Sequence, residues 1–179
     1  MRIIGGKYRG RRIVPPADLK ARPTTDFARE GLFNILANRL DFSEAEVLDL
    51  FGGTGSISFE FSSRGAALVH LVEKNLKHLA GINRIIRDIG FENIRTIHID
   101  ARTYLKTCRT KYDVVFADPP YDLPWLPELP DLVLRAGILK DDGFFILEHP
   151  RDINFGRHKA FFENRNYGGV NFSFFRKTD

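Results

Sequence analysis

Apolar residues fall along this chain in short dense runs, separated by stretches where they recur every three to four positions. "EVLDLF" (46–51), "ALVHLVE" (67–73), "NIRTIHID" (93–100), "KYDVVFAD" (111–118) and "GFFILEH" (143–149) are the dense runs, short and apolar enough for strands inside a sheet. Between them, "SISFEFSSRG" reads as a helix ending at Gly65. From Asn75 to about Ile89 the spacing puts Leu76, Leu79, Ile82, Ile85, Ile86 and Ile89 on one side of another. Strands separated by helices are joined by crossovers, which makes their pairing parallel and the sheet an open α/β sheet. The C-terminal end breaks this rhythm. "RHKAFFENRNYGGVNFSFFRK" carries two strand-like runs around Tyr167, Gly168 and Gly169 with no room for a helix between them, so an antiparallel pair completes the sheet.

Upstream of the sheet, "RPTTDFAREGLFNILANRL" offers Thr24, Thr25 and Asp26 as caps and an apolar stripe of Leu32, Ile35, Leu36 and Leu40, the pattern of one amphipathic helix. Before it, "RIIGGKYRGRRI" alternates short apolar and basic groups around Gly5, Gly6 and Gly10, which reads as a small twisted hairpin or extended arm. The expected organisation is a basic N-terminal extension over 1–23 and a single α/β domain over 24–179, without internal repeat or low-complexity linker.

Length and composition agree with one globular domain: 179 residues, 43% hydrophobic and 28% charged. The lone cysteine, Cys108, allows no intramolecular disulfide and no thiolate metal cluster, so a reducing cytoplasmic setting is expected and no metal site is. "MRIIGGKYRGRR" is charged at its second residue and is expected to be neither signal peptide nor membrane span, so no membrane partner is expected. Charge placement adds more. The formal net charge is +4, yet Met1 to Arg22 alone carries +6, from Arg2, Lys7, Arg9, Arg11, Arg12, Lys20 and Arg22 against Asp18. The remainder is mildly acidic. A basic cluster interleaved with Tyr8 and glycines suits phosphate-backbone contact, with Arg2, Lys7, Arg9, Arg11, Arg12 and Arg22 as candidate contacts; a solvated hairpin without a partner has the same composition.

In open α/β sheets, ligands bind outside the carboxyl ends of the strands, where the strand order switches. The first strand ends in "LDLFGGTGS", with Asp49, Gly52, Gly53 and Gly55. Glycines there permit a tight turn and close approach of backbone to a ligand. The second ends at Glu73, about 20 residues beyond the glycines, the separation of an acid that accepts from ribose hydroxyls. The third ends at Asp100, followed by Ala101, where the acid either accepts from an adenine amine or caps the next helix. These features fit a nicotinamide dinucleotide and S-adenosylmethionine alike, although Ser58 stands where the dinucleotide fingerprint has its third glycine.

The fourth strand end separates them. "DPPY", Asp118 to Tyr121, places an acid before two prolines that fix φ and lack an amide donor, then an aromatic ring. An exocyclic amine on a nucleobase is a poor nucleophile because its lone pair is delocalised into the ring. If Asp118 and the Pro119 carbonyl each accept one N–H, the nitrogen is drawn towards tetrahedral geometry, by preorganisation rather than covalent catalysis. Pro120 stiffens the loop, and Tyr121 supplies a stacking face. In the following "DLPWLPELPD", Pro124, Pro127 and Pro130 depart from a plain helix start, and Trp125 is either a second stacking surface on a stiff lid or packing against the sheet.

"LDLFGGTG", Glu73 and above all "DPPY" resemble class I S-adenosylmethionine-dependent methyltransferases acting on amino nitrogens. "RIIGGKYRGRR" and "RPTTDFAREGLFNIL" are similar to the RsmD family, bacterial enzymes that methylate the exocyclic N2 of a guanine in small-subunit (16S) ribosomal RNA. The resemblance runs from residue 2 to about residue 150. It implies a single Rossmann-like methyltransferase domain with a mostly parallel seven-stranded sheet and an antiparallel C-terminal hairpin. It implies Asp118, Pro119, Pro120 and Tyr121 as the catalytic loop, and Asp49, Gly52, Gly53, Gly55, Glu73, Asp100 and Ala101 as the S-adenosylmethionine site. The implied partner is ribosomal RNA or the assembling small subunit; a cytoplasmic enzyme is expected, and the sequence leaves the oligomeric state open, with a monomer favoured. Adenine N6 of nucleic acid, a protein amide, or a binding module without catalysis are the alternatives.

Overall fold

A computed structural model describes residues 1–15 and 24–178; Arg22, among the candidate phosphate contacts, lies outside the described residues. The dense runs form β1 (Glu46–Asp49), β2 (Leu68–Glu73), β3 (Ile94–His98), β4 (Tyr112–Ala117) and β5 (Leu139–His149), and the C-terminal pair forms β6 (Phe161–Tyr167) and β7 (Val170–Arg176). They make one seven-stranded sheet in the order β3-β2-β1-β4-β5-β7-β6. The pairings from β3 through β5 are parallel, and β7 is antiparallel to both β5 and β6. The order reverses between β1 and β4, which opens the crevice where such sheets bind ligands.

The helices are α1 (Asp26–Leu36), α2 (Ser56–Ser63), α3 (Leu76–Ile89), α4 (Ala101–Thr107) and α5 (Leu129–Ala136). Because strand side chains alternate, each strand feeds two apolar layers. On one face Leu32, Phe33, Phe59 and Ile82 pack against Val47, Val69, Val114 and Phe116. On the other, Leu105, Leu129 and Val133 pack against Leu48, Val115 and Phe145.

Four local expectations are corrected. Leu76 is 63% exposed, since it opens α3 directly after the Asn75 cap, and the buried stripe begins at Leu79 and Ile82. Leu40 lies beyond α1, which ends at Leu36. The proline-rich stretch does become a helix: Pro130 stands in the first turn of α5, where a missing N–H leaves no intrahelical bond unmade. β5 also begins earlier, at Leu139 rather than Gly143.

The basic N-terminal stretch is a hairpin, closed by an antiparallel bridge between Arg2 and Arg12. It is docked rather than free. Ile3 and Ile13 are buried in the first apolar layer. The Ile4 and Gly5 amides donate to buried Glu60 of α2 at 2.9 and 2.8 Å, and the Lys7 amide donates to the Ser63 carbonyl at 2.7 Å. Gly6, at φ +74°, makes that approach feasible, as a Cβ there would lie 1.9 Å from the Ser63 oxygen. Tyr8 is spent on the same attachment, its hydroxyl donating to the Gly90 carbonyl at 2.9 Å and its ring edge-on to Phe91.

Candidate active site

Four strands deliver carboxyl groups to one edge of the sheet. Asp49 ends β1 and Glu73 ends β2. Asp118 follows β4, and Glu148 lies near the end of β5. Asp49 is in register with Phe116, and Ala117 with Leu147. Asp118 and Glu148 therefore stand side by side one position further on, and alternation turns Asp118 to the same face as Phe116.

The glycine turn links β1 to α2. The Gly52 amide donates to the Val72 carbonyl at 2.8 Å and the Gly55 amide to the Gly52 carbonyl at 2.7 Å. Gly53 and Gly55 adopt φ of 51° and 78°, the left-handed region that favours glycine. Glu73 pins this turn from β2: its Oε2 accepts from the Gly53 amide at 3.1 Å, and its Oε1 from the Asn75 amide at 2.7 Å. Each oxygen retains a further lone pair for a ligand hydroxyl.

Asp49 is fully buried, and its Oδ2 accepts from the Ser58 hydroxyl at 2.7 Å. Its Oδ1 has no hydrogen-bond partner among the described residues. Burial pushes this carboxyl up to about 7, against the lowering effect of the Ser58 hydrogen bond. An orphaned buried acceptor beside a glycine turn fits a cationic donor such as the ammonium of the methionine part of S-adenosylmethionine. The adjoining pocket, about 40 Å³, is lined by Thr24, Asp49, Gly52, Gly53, Phe116 and Asp118 among others.

At the fourth strand end, Pro119 is buried, Pro120 is exposed and the Tyr121 ring is 47% exposed. A turn follows, with the Leu123 amide donating to the Pro120 carbonyl at 2.9 Å. Burial, then the charges of Glu148 and Asp49, raise Asp118 well above the usual carboxylate range. Glu148 itself is pushed up to about 7 by burial and accepts from the Thr24 hydroxyl at 2.8 Å. Burial also raises the Tyr121 phenol, with Glu148 next to it as the second cause.

The sequence reading omitted Glu148 and Thr24. Glu148 was findable by the same strand-end rule, applied to the fifth run. Thr24 was visible only as a helix cap, and the cap proves to be Thr25.

Asp100 caps α4: its Oδ1 accepts from the Arg102 and Thr103 amides at 2.9 and 3.3 Å, and Ala101 behind it is buried. Trp125 packs against Phe51 of the glycine turn at 6.0 Å, with the Arg102 guanidinium over its ring at 5.6 Å. Of the described basic candidates, Lys7, Arg9, Arg11 and Arg12 are exposed, whereas Arg2, also exposed, pairs with Asp26 at 3.0 Å.

Residues 1–176 match the family described as Conserved hypothetical protein 95. The chain is 34% identical over 148 residues to the Escherichia coli (strain K12) protein named Ribosomal RNA small subunit methyltransferase D, covering 83% of this chain and 74% of that one. It is 29% identical over 154 residues to the protein of the same name from Buchnera aphidicola subsp. Baizongia pistaciae, covering 86% and 78%. A solved structure titled "Putative methyltransferase yhhF from Escherichia coli" shares 30% identity and a TM-score of 0.85, covering 100% of this chain and 99% of that one.

Proposed function

The chain belongs to the Conserved hypothetical protein 95 family, and from that premise we propose that it transfers a methyl group from S-adenosylmethionine to small-subunit ribosomal RNA, at the exocyclic N2 of a guanine. The observation that carries this reading is Asp118 at the end of β4, beside the reversal in strand order and directly before the rigid Pro119–Pro120 pair.

In this reading the cofactor supplies an electrophilic sulfonium methyl, and the protein's own groups do the rest. Asp49 Oδ1 takes the ammonium of the methionine part beside the turn from Gly52 to Gly55. Glu73 takes the ribose hydroxyls. Asp100 and Ala101 border the adenine, with Asp100 serving as helix cap at the same time. The Asp118 carboxylate and the Pro119 carbonyl accept the two amine hydrogens, aim the nitrogen lone pair at the methyl group and so preorganise a direct in-line transfer. As the C–N bond formed and the S–CH3 bond broke, its electron pair leaving on sulfur, the amine would become acidic, and Asp118, with its raised proton affinity, is suited to hold the departing proton. The half-exposed Tyr121 ring stacks on the guanine and offsets part of the unstacking cost of about a few kcal/mol.

Residues 1–23 form the RNA-gripping part and 24–179 the methyltransferase part. A hairpin carrying Lys7, Arg9, Arg11 and Arg12 grips phosphates without reading a long sequence, which suits RNA presented as a folded shape or an assembling subunit. No helix among the described residues is long and apolar enough to cross a membrane, and we place the protein in the cytoplasm with its RNA, as a monomer. The test is transfer of labelled methyl from S-adenosylmethionine to small subunits lacking the modification and to free ribosomal RNA. Transfer to either supports the reading; label on neither contradicts it.

A further inference from the structure

Beside the catalytic edge lies a groove that methyl transfer leaves unused. α1 and the end of β6 flank an open groove of about 440 Å³ lined by Phe27, Glu30, Gly31, Asn34, Asn38 and Tyr167 among others. A Cβ on Gly31 would lie 2.1 Å from the Tyr167 ring, so glycine is what lets that ring settle on α1. Phe27 meets the same ring edge-on at 5.8 Å, yet remains 67% exposed. Among the described residues, Phe27 and Tyr121 are the two aromatics left exposed among the large hydrophobics.

The two rings stand on segments that are tied together at Glu148. Thr24, just before the α1 cap, donates to Glu148, whose carboxyl faces the Tyr121 phenol. A short step along the chain from Glu148, Arg151 donates to the Gly168 carbonyl, in the turn beside Tyr167. Thr24, which leads into α1, and the Tyr121 phenol therefore meet at Glu148. Arginines stand on the flanks: Arg2 is paired with Asp26 at one end of α1, Arg39 is paired with Glu163 at the other, and Arg151 is exposed beside the turn.

We propose that this groove is a stacking subsite for an unpaired nucleobase neighbouring the target guanine, with Phe27 as its platform. The inference rests on the reading of the protein as an RNA methyltransferase. Extruding a target base leaves its neighbours without a stacking partner, and an exposed aromatic ring accepts any base because every base has a π-face. The Asn34 amide presents a donor and an acceptor to base edges, Asn38 keeps its carbonyl oxygen while its amide donates to the Asn34 backbone carbonyl at 3.0 Å, and the exposed Arg151 suits a neighbouring phosphate. The lining is mainly apolar, as the face of a base requires, and Glu30, Asn34 and Asn38 are the polar groups set in it for a base edge.

The test is steady-state methylation of small subunits lacking the modification by the wild-type protein and by Phe27→Ala, Phe27→Leu and Phe27→Trp. Phe27 is exposed, so each variant should fold. Ala and Leu are expected to raise KM about 5- to 100-fold with kcat nearly unchanged at saturation, while Trp keeps the wild-type KM. An unchanged KM in Phe27→Ala overturns the subsite. So does a loss in Ala that Leu restores, which would identify an apolar protein contact instead of a base. A wild-type protein that methylates no RNA overturns the methyltransferase reading itself, and the subsite with it.

Discussion

The Ser58 hydroxyl donates a 2.7 Å hydrogen bond to Asp49 Oδ2, leaving the other oxygen of that buried carboxyl without a partner among the described residues. Ser58 is the residue that departs from the dinucleotide fingerprint. A glycine there would leave the carboxyl without this donor; the serine holds Asp49 in one orientation, with its free oxygen available to a ligand.

Cofactor affinity should therefore depend on pH. Burial pushes the Asp49 carboxyl up to about 7 in the free protein, and a bound ammonium favours its ionised form, so binding below that value must release a proton. Affinity is expected to rise between about pH 5 and pH 7, and Ser58→Ala, which removes a lowering hydrogen bond, should move that rise to higher pH. Calorimetry in buffers of different ionisation enthalpy reads the released proton directly; affinity independent of pH would contradict the role of Asp49.

The same groups set a stability profile. Asp49, Asp118 and Glu148 are all raised above their unfolded values, chiefly by burial. Their contribution to folding is fully present below the ordinary carboxylate range and is lost as pH rises through about 7, to which burial pushes Asp49 and Glu148. The ligand-free protein should melt at a lower temperature at about pH 8 than at about pH 5, and S-adenosylmethionine should narrow the difference. Thermal denaturation across that range, with and without cofactor, checks the sign.

Asp118→Asn keeps the size of the side chain and removes its charge. It is expected to lower kcat by about 10²- to 10³-fold, as for loss of one preorganised electrostatic partner, with cofactor affinity changed only a few-fold. In the wild type, kcat should rise with pH through a value above the ordinary carboxylate range, because only the ionised acid orients the amine fully. Glu148→Gln removes a neighbouring like charge and should shift that limb to lower pH. An unshifted limb would separate Glu148 from the chemistry.

In the docked hairpin, folding and the proposed RNA contact fall on different residues and can be tested separately. Glu60→Ala removes the acceptor of the Ile4 and Gly5 amides and the partner of Arg64, and should cost about 2–4 kcal/mol of stability. Exposed Arg9 and Arg12, replaced together by Ala, should leave the melting temperature unchanged while reducing the slope of log affinity against log salt by about 1.4–1.8. An unchanged slope would remove both from the phosphate contacts.

Much of this architecture was legible because burial and periodicity act locally. The five apolar runs needed no partner to be recognised as strands, and the strand-end rule brought Asp49, Glu73 and Asp118 to one edge. The rest depends on distant pairings. Thr24 reaches Glu148 across 124 positions, and Glu148 meets Asp118 only because β5 pairs with β4. Arg2, read as a free phosphate contact, is engaged by Asp26. α5 was hidden by its prolines, whose position in the first turn is visible only once the helix is seen.

The most direct test is the identity of the methylated nucleoside. After transfer of labelled methyl to small subunits lacking the modification, the RNA is digested to nucleosides and separated. Label in N2-methylguanosine, lost with Asp118→Asn, is the predicted result. Label on adenosine or on protein would contradict the guanine assignment, and label that persists undiminished in Asp118→Asn would contradict the catalytic loop.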